Sequence, residues 1–385
     1  MLKIAVVTHY FPTSTDPWAG HSAYQTLRRI AQTCDVHVFR SYVTYPGPLQ
    51  PKGFAEPDPN WRPPEVPVTY VPYTAVPLLS RPFNGYTIER RLLPLVREFK
   101  PNLVLNYVVY PQGFAAVRIA RALGVPVVLT AIGSDLNRIA DPVCGYLTRW
   151  TLRNADFVTT VSRDLAATAI KLGANPDTTQ AILNGCDTDV FHPRDQEDAR
   201  KQLGLPLDAE IVLYVGRLDL RKGLIELVKT IAELKSPRPK LHCYIIGDGP
   251  DESALRQAIE KNFISEAFSI VPSCMSEQVA VWMAAADLVT LPSYNEGCPN
   301  VVIEAVSSGR PVVATRVGGI PELLSPRSGR LVPPRNIMAL TGAIDEVLTN
   351  KWDADEISQT HSRSWNDVAE DLLDIVDELV YPDQP

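Results

Sequence analysis

Short runs of Val, Ile, Leu and Ala recur along the whole chain, and most are separated by longer stretches whose apolar residues return every three or four positions. Runs apolar at nearly every position predict strands buried on both faces, and their alternation with helical segments predicts parallel sheets covered by helices. In the first half the predicted strands are Lys3–Thr8, Asp35–Phe39, Thr69–Tyr73, Leu103–Tyr107, Val127–Thr130, Phe157–Thr160 and Thr179–Leu183. A second series follows Phe191-His192-Pro193, at Ile211–Val215, Leu241–Ile246, Ser269–Val271, Leu288–Leu291, Pro311–Ala314 and Arg330–Val332. The amphipathic stretch Trp365–Val380 comes after the second series is complete and predicts a helix returning to the first domain. The expected division is residues 1–190, residues 191–364 and a C-terminal helical segment 365–385, with Asn184 to Arg194 as linker.

One segment breaks the rhythm. Residues 46–82 hold eleven prolines together with Trp61, Tyr70 and Tyr73, which reads either as a semi-rigid surface loop covering a cleft or as a disordered segment, the aromatics within Thr69–Tyr73 favouring order. Over all 385 residues the composition, 45% hydrophobic and 21% charged, is that of a globular enzyme with two cores. No run of eighteen apolar residues and no secretory leader is found. Six scattered cysteines without CxxC spacing argue for a reducing compartment, so a cytoplasmic protein is expected. Net charge is −7, yet residues 1–125 carry thirteen Lys or Arg against seven Asp or Glu. There Arg81, Arg90, Arg91, Arg97 and Lys100 bracket the apolar stretch Ile88 to Val96, which reads either as an amphipathic helix lying on anionic lipid or meeting a phosphorylated acceptor, or as an ordinary solvated helix. No nucleic-acid partner is expected.

The candidate chemistry lies in two loops of the second half. In Ile211-Val-Leu-Tyr-Val-Gly216-Arg217-Leu-Asp-Leu-Arg-Lys222-Gly223 a strand ends at Gly216 and a helix begins near Gly223. Arg217 and Lys222 would stand at a sheet's carboxyl edge beside free helix amides, a setting for pyrophosphate. The alternative is two exposed basic side chains in a βα loop. Further on, Glu296-Gly297-Cys298-Pro299-Asn300-Val301-Val-Ile-Glu304 places two carboxylates either side of a turn and a helix start. Carboxylates accept hydrogen bonds from vicinal hydroxyls, so Glu296 suits a sugar ring and Glu304 a ribose, with loop amides as added donors.

The run Asn295-Glu-Gly-Cys-Pro-Asn-Val-Val-Ile-Glu-Ala-Val-Ser-Ser-Gly-Arg-Pro-Val-Val-Ala-Thr-Arg-Val-Gly-Gly-Ile-Pro-Glu322 closely resembles the signature of family 4 glycosyltransferases. Phe11-Pro12 to Ala19-Gly20 resembles the amino-terminal glycine loop, Asn184 to Pro193 the interdomain strand and linker, and Ile246-Gly-Asp-Gly-Pro250 a turn of the donor domain. The resemblance implies an α/β enzyme of GT-B architecture, two Rossmann-like doubly wound domains facing across a cleft. It implies retaining transfer from a nucleotide-sugar donor to a glycan or lipid-linked acceptor in polysaccharide or glycolipid biosynthesis, with no metal and no further cofactor. Carried over, Arg217 and Lys222 hold the diphosphate, Glu296 the sugar hydroxyls and Glu304 the ribose. Gly216, Gly297, Cys298, Pro299, Asn300 and Val301 complete the donor loops, and Gly20 admits the phosphate end.

Departures from the family pattern fall on the acceptor side. Ile132 and Tyr107 stand where relatives often carry histidine or arginine, and Ala19 replaces the first glycine of a pair. His21, just past Gly20, and Asp135 are the acceptor-side candidates, Asp135 equally a helix-capping residue. The aspartate pairs Asp187/Asp189 and Asp353/Asp355 spell DxD at about the frequency expected by chance, and the six histidines show no metal-ligand spacing. A non-catalytic GT-B scaffold is the competing expectation.

Overall fold

The computed structural model describes residues 1–51, 54–137, 139, 141–360 and 363–382; His361 and the last three residues of the 365–385 segment lie outside them. The chain forms two compact units, Met1–Leu183 with Trp365–Pro385, and Asn184–Ser364. The first change of unit comes at Asn184, the start of the expected linker, so residues 184–190, expected in the first domain, belong to the second unit.

In the first unit a seven-stranded sheet has the order β3-β2-β1-β4-β5-β6-β7, every neighbouring pair parallel. Its strands are β1 Lys3–Thr8, β2 Asp35–Thr44, β3 Val68–Thr74, β4 Leu103–Tyr107, β5 Val127–Ala131, β6 Phe157–Thr160 and β7 Thr179–Ala181. Ile4 to Val7 are wholly buried, as a strand covered on both faces requires. The helix Asn84–Phe99 turns Ile88, Leu92 and Val96 into the core under β1, β4 and β5, while Arg90, Arg91, Arg97 and Lys100 face solvent. That corrects the reading of Ile88 to Val96 as a lipid-facing stretch, because its apolar side is already spent on the protein's own sheet. On the opposite face Trp365, Val368, Leu372, Ile375 and Val376 of helix Trp365–Val380 pack with Ala23, Leu27 and Ile30 of helix His21–Ile30.

The proline-rich excursion contributes β3 at the sheet edge, where Pro72 removes an N–H the ladder can spare. It folds back on the loop after β1: the Tyr70 hydroxyl donates to the Pro12 carbonyl at 2.9 Å and the Asp58 N–H to Ser14 Oγ at 2.7 Å.

The second unit holds a six-stranded parallel sheet of order β10-β9-β8-β11-β12-β13. Its strands are β8 Glu210–Val215, β9 Leu241–Ile246, β10 Phe268–Val271, β11 Leu288–Leu291, β12 Val312–Thr315 and β13 Gly329–Val332. Both sheets are thus doubly wound. None of the described helices is long and apolar enough to cross a membrane.

Candidate active site

In the second sheet β8 and β11 are neighbours although their sequence positions lie far apart, so the strand order reverses between them. Loops leaving the carboxyl ends of two such strands flank the crevice where open α/β sheets take ligands. These are the two loops that carry the predicted chemistry.

The loop after β8 is set by close backbone contacts. Gly216 adopts a φ of 153° and its N–H donates to the Ile246 carbonyl at 3.0 Å. Beside it a Cβ on Gly247 would fall 2.0 Å from the Gly216 oxygen, and one on Gly249 would fall 2.2 Å from that of Leu218. The Ile246-Gly-Asp-Gly turn thereby backs the loop with no side chain between. Asp219 then accepts the Arg221 N–H at 3.0 Å and pairs with the Arg221 guanidinium, which holds the Asp219 carboxyl below the usual carboxylate range. This closes a tight turn, Leu220–Lys222, in front of helix Leu224–Lys235.

Gly223, at φ 74°, leads that helix, and a Cβ there would lie 2.0 Å from the Pro292 oxygen in the loop after β11. The Tyr294 N–H also donates to the Arg221 carbonyl at 2.9 Å. The two loops are therefore bound backbone to backbone, and Lys222 Nζ meets Glu296 Oε1 at 2.7 Å, with the two side chains 30% and 10% exposed. Arg217 stands exposed on the same loop with no ion pair among the described residues.

Glu296 is fixed from behind as well. Gly318, at φ 51°, approaches so closely that a Cβ would be 1.9 Å from the Glu296 oxygen, and the Gly319 N–H donates to Gly297 at 2.8 Å. Cys298 and Pro299 lead into helix Asn300–Ser307, and the Asn184 amide donates to the Cys298 carbonyl at 3.1 Å and to Asn300 Oδ1 at 2.8 Å. Asn300 and Val301 present the leading N–H groups of this helix, which favour an anion or a polar hydroxyl. Glu304 occupies its second turn, ringed by protein yet still reached by solvent, and its carboxyl has no partner among the described residues. Desolvation lifts that carboxyl to about 7.

Gly20, His21 and Asp135 belong to the first unit. Gly20, at φ 64°, precedes helix His21–Ile30, and a Cβ on it would lie 2.4 Å from the Tyr10 carbonyl, so its own chain already demands a glycine. The His21 ring lies 6.3 Å from the rings of Trp18 and Trp365. Asp135 acts as a clamp: Oδ1 accepts the N–H groups of Ile132 at 3.2 Å and Gly133 at 2.9 Å, and Oδ2 that of Val109 at 3.0 Å. It joins the loops after β4 and β5, and burial pushes its carboxyl above the ordinary value. Tyr107 is 5% exposed and faces the core. Ile132, with His9, Tyr10, Arg81, Val108 and Asp135, lines a cavity of about 420 Å³ at the carboxyl ends of β1 and β4, where the first sheet reverses its order.

Three polar residues with no motif around them line a neighbouring hollow: His9, Arg40 and Gln112. The available signal was a charged residue set inside the apolar strand Val36–Val43. Asp353 caps helix Ala354–Gln359 by accepting the N–H groups of Asp355 and Glu356, which accounts for the second DxD. Among the described residues no group of three or more His, Cys, Asp or Glu is placed to hold a metal, and the six cysteines are free.

Comparisons with known proteins agree along the chain. Residues 195–363 match the family described as "Glycosyl transferases group 1", and residues 16–185 the "Glycosyl transferase 4-like domain". The glycosyltransferase TuaC of Bacillus subtilis strain 168, assigned to teichuronic acid biosynthesis, is 30% identical over 97% of this chain and 94% of its own length. A D-inositol 3-phosphate glycosyltransferase of Nocardioides sp. strain JS614 is 32% identical over 52% of this chain and 49% of its own. Among solved structures, sucrose-phosphate synthase of Thermosynechococcus elongatus superimposes with a TM-score of 0.79 at 22% identity, covering 98% of this chain and 99% of that one. Anabaena HepE in complex with UDP-glucose superimposes with a TM-score of 0.74 at 18% identity, over 98% and 100%. These two likenesses establish the fold.

Proposed function

The chain belongs to the group 1, family 4 glycosyltransferases of GT-B fold, and from that premise we propose that it is a retaining enzyme. It moves a sugar from a nucleoside-diphosphate donor to a hydroxyl of a glycan or lipid-linked acceptor in polysaccharide biosynthesis. The observation that carries the reading is the Lys222–Glu296 contact of 2.7 Å between the loops after β8 and β11, with Arg217 exposed beside it.

In this reading Arg217 and Lys222 take the diphosphate and stabilise the charge that grows on it as the glycosidic bond breaks. Glu296 then exchanges its ammonium partner in part for donor hydroxyls, and the unpartnered Glu304 accepts the ribose hydroxyls. Gly216 and the segment Gly297 to Val301 supply backbone surface and amides to the donor. The acceptor hydroxyl arrives on the face the leaving group quits, and a diphosphate oxygen assists removal of its proton, so no covalent enzymic nucleophile and no metal is invoked. Gly20 shapes a loop of the first unit, while His21 and the clamp residue Asp135 border the acceptor surface. UDP-sugars are the first donors to test, because the structural relative HepE is described with UDP-glucose. A lipid-linked acceptor on an anionic membrane would be met by exposed Leu78, Leu79 and Phe83 around Arg81, since helix Asn84–Phe99 keeps its apolar side in the core.

A panel of nucleotide sugars tests the proposal. The enzyme reading expects slow release of nucleoside diphosphate from at least one donor, whereas no release from any donor favours a scaffold. The anomeric configuration of the product, read by NMR, tests retention.

A further inference from the structure

A second cavity of the first unit, about 390 Å³, opens over the carboxyl ends of β1 and β2 and is lined by His9, Thr13, Arg40, Ser41, Tyr42 and Gln112 among others. Arg40 is 9% exposed. Its Nε donates to the Phe11 carbonyl at 2.9 Å, and its guanidinium carbon lies 5.8 Å from the centre of the Tyr70 ring. No carboxylate stands within ion-pair distance of it among the described residues. The Asp16 charge acts on it from further off, but that side chain is exposed and accepts the Trp18 N–H at 3.3 Å. Burial lowers the guanidinium to about 10, which still leaves it fully charged at neutral pH.

A buried cation lacking a counter-ion is costly, and arginine does not escape by losing its proton. A fold that keeps one in a hollow lined by donors is prepared for an anion. The surroundings fit. The Gln112 amide donates to Ser41 Oγ at 3.1 Å and the Gln112 side chain also bonds His9, so both are held in place beside Arg40. His9 lines both cavities, and desolvation lowers its imidazole against the opposing Gln112 hydrogen bond, with the Arg40 charge lowering it further, so Arg40 supplies the positive charge of the hollow near pH 7. This cavity shares His9, Asn84 and Pro111 with the cavity at the β1/β4 reversal that carries Ile132 and Asp135.

We infer that the Arg40 cavity is the subsite for an anionic group, a phosphate or a carboxylate, carried by the acceptor sugar. The inference rests on the glycosyl-transfer reading and narrows its acceptor to acidic glycans or sugar phosphates. The planar guanidinium would take two oxygens of the group side by side, with Ser41 and Tyr42 hydroxyls as further donors.

The test measures binding of glucose, glucose 6-phosphate and glucuronate to the full chain by calorimetry, in wild type and in Arg40→Gln and Arg40→Lys, with UDP and GDP as controls for the second unit. One anionic sugar is expected to bind about tenfold to a hundredfold more tightly than glucose. Whether that is the phosphate or the carboxylate identifies the group. Arg40→Gln should abolish the preference, and Arg40→Lys should weaken it, with nucleoside diphosphate binding unaltered. Should the variants not fold, the position of glucose 6-phosphate or glucuronate bound to wild type decides, since an anionic group seated away from Arg40 overturns the inference. So does equal binding of all three sugars. Nucleoside diphosphate binding and donor hydrolysis that persist in that case leave the glycosyl-transfer reading standing, whereas their absence removes the reading itself.

Discussion

Replacing Lys222 by methionine keeps the aliphatic stem and removes one charge from the loop that Gly223 pins against Pro292. Two effects follow. Glu296, whose side chain is 10% exposed, loses its partner at 2.7 Å, and an unpaired, largely buried carboxylate costs about 1–3 kcal/mol of stability. The diphosphate loses a charge-assisted hydrogen bond worth about 1.5–3 kcal/mol, which at 1.36 kcal/mol per decade weakens nucleoside-diphosphate binding about tenfold to 150-fold. Because the contact strengthens as the leaving group gains charge, turnover falls further, by up to about a thousandfold. The companion Glu296→Gln separates the roles: Lys222 survives, so affinity for the bare nucleoside diphosphate holds while affinity for the intact donor falls. In the double variant the stability loss is largely repaired and turnover is not. Calorimetric titration with UDP or GDP and with the intact donor, thermal melts, and initial rates of donor hydrolysis give all three quantities. Unchanged turnover in Lys222→Met would place the diphosphate elsewhere, and equal losses of nucleotide and intact donor in Glu296→Gln would remove that residue from the sugar.

Three further outcomes are expected besides the Arg40 test. Glu304 titrates above its ordinary 4.5, at about 7, so the free protein holds the stability linked to this group below about pH 4.5 and loses it as pH rises through about 7. Ribose hydroxyls donating to the carboxylate would draw the value down, so nucleoside diphosphate binding near pH 6.5 should release a proton, seen as a binding heat that varies with buffer ionisation enthalpy and no longer does so in Glu304→Gln. Gly223→Ala, which forces a Cβ into the Pro292 oxygen at positive φ, should cost more than about 1 kcal/mol and lower the melting temperature and donor affinity together. Asp135→Ala strips the acceptors from three backbone N–H groups and should lower stability by about 1–3 kcal/mol in denaturant melts, and an unchanged midpoint would show that the clamp is not needed.

Strands buried on both faces announced themselves through unbroken apolar runs, which is why Leu103–Tyr107 and Leu241–Ile246 coincide with their expected limits. The Asp35–Phe39 run extends to Thr44 because its partner is β3, drawn from a segment whose prolines obscure a strand pattern. The donor loops were legible as motifs, but the direct Lys222–Glu296 pairing was not. It depends on Gly223 and Gly318 admitting neighbouring backbone, contacts that no spacing along the chain encodes. Arg40, His9 and Gln112 escaped notice for a different reason. Each belongs to a different strand or loop, and only the parallel order β2-β1-β4 brings them to one hollow.

The helix Trp365–Val380 closes one face of a core whose other members lie within the first 183 residues. During synthesis that face stays open while the whole second unit emerges from the ribosome, and domains generally fold as units once their chain is complete. The first unit must therefore wait for a helix made after the second unit, leaving Leu27 and Ile30 exposed to premature association until Trp365 and Leu372 arrive. Nascent chains stalled before that helix are where a chaperone would find its client.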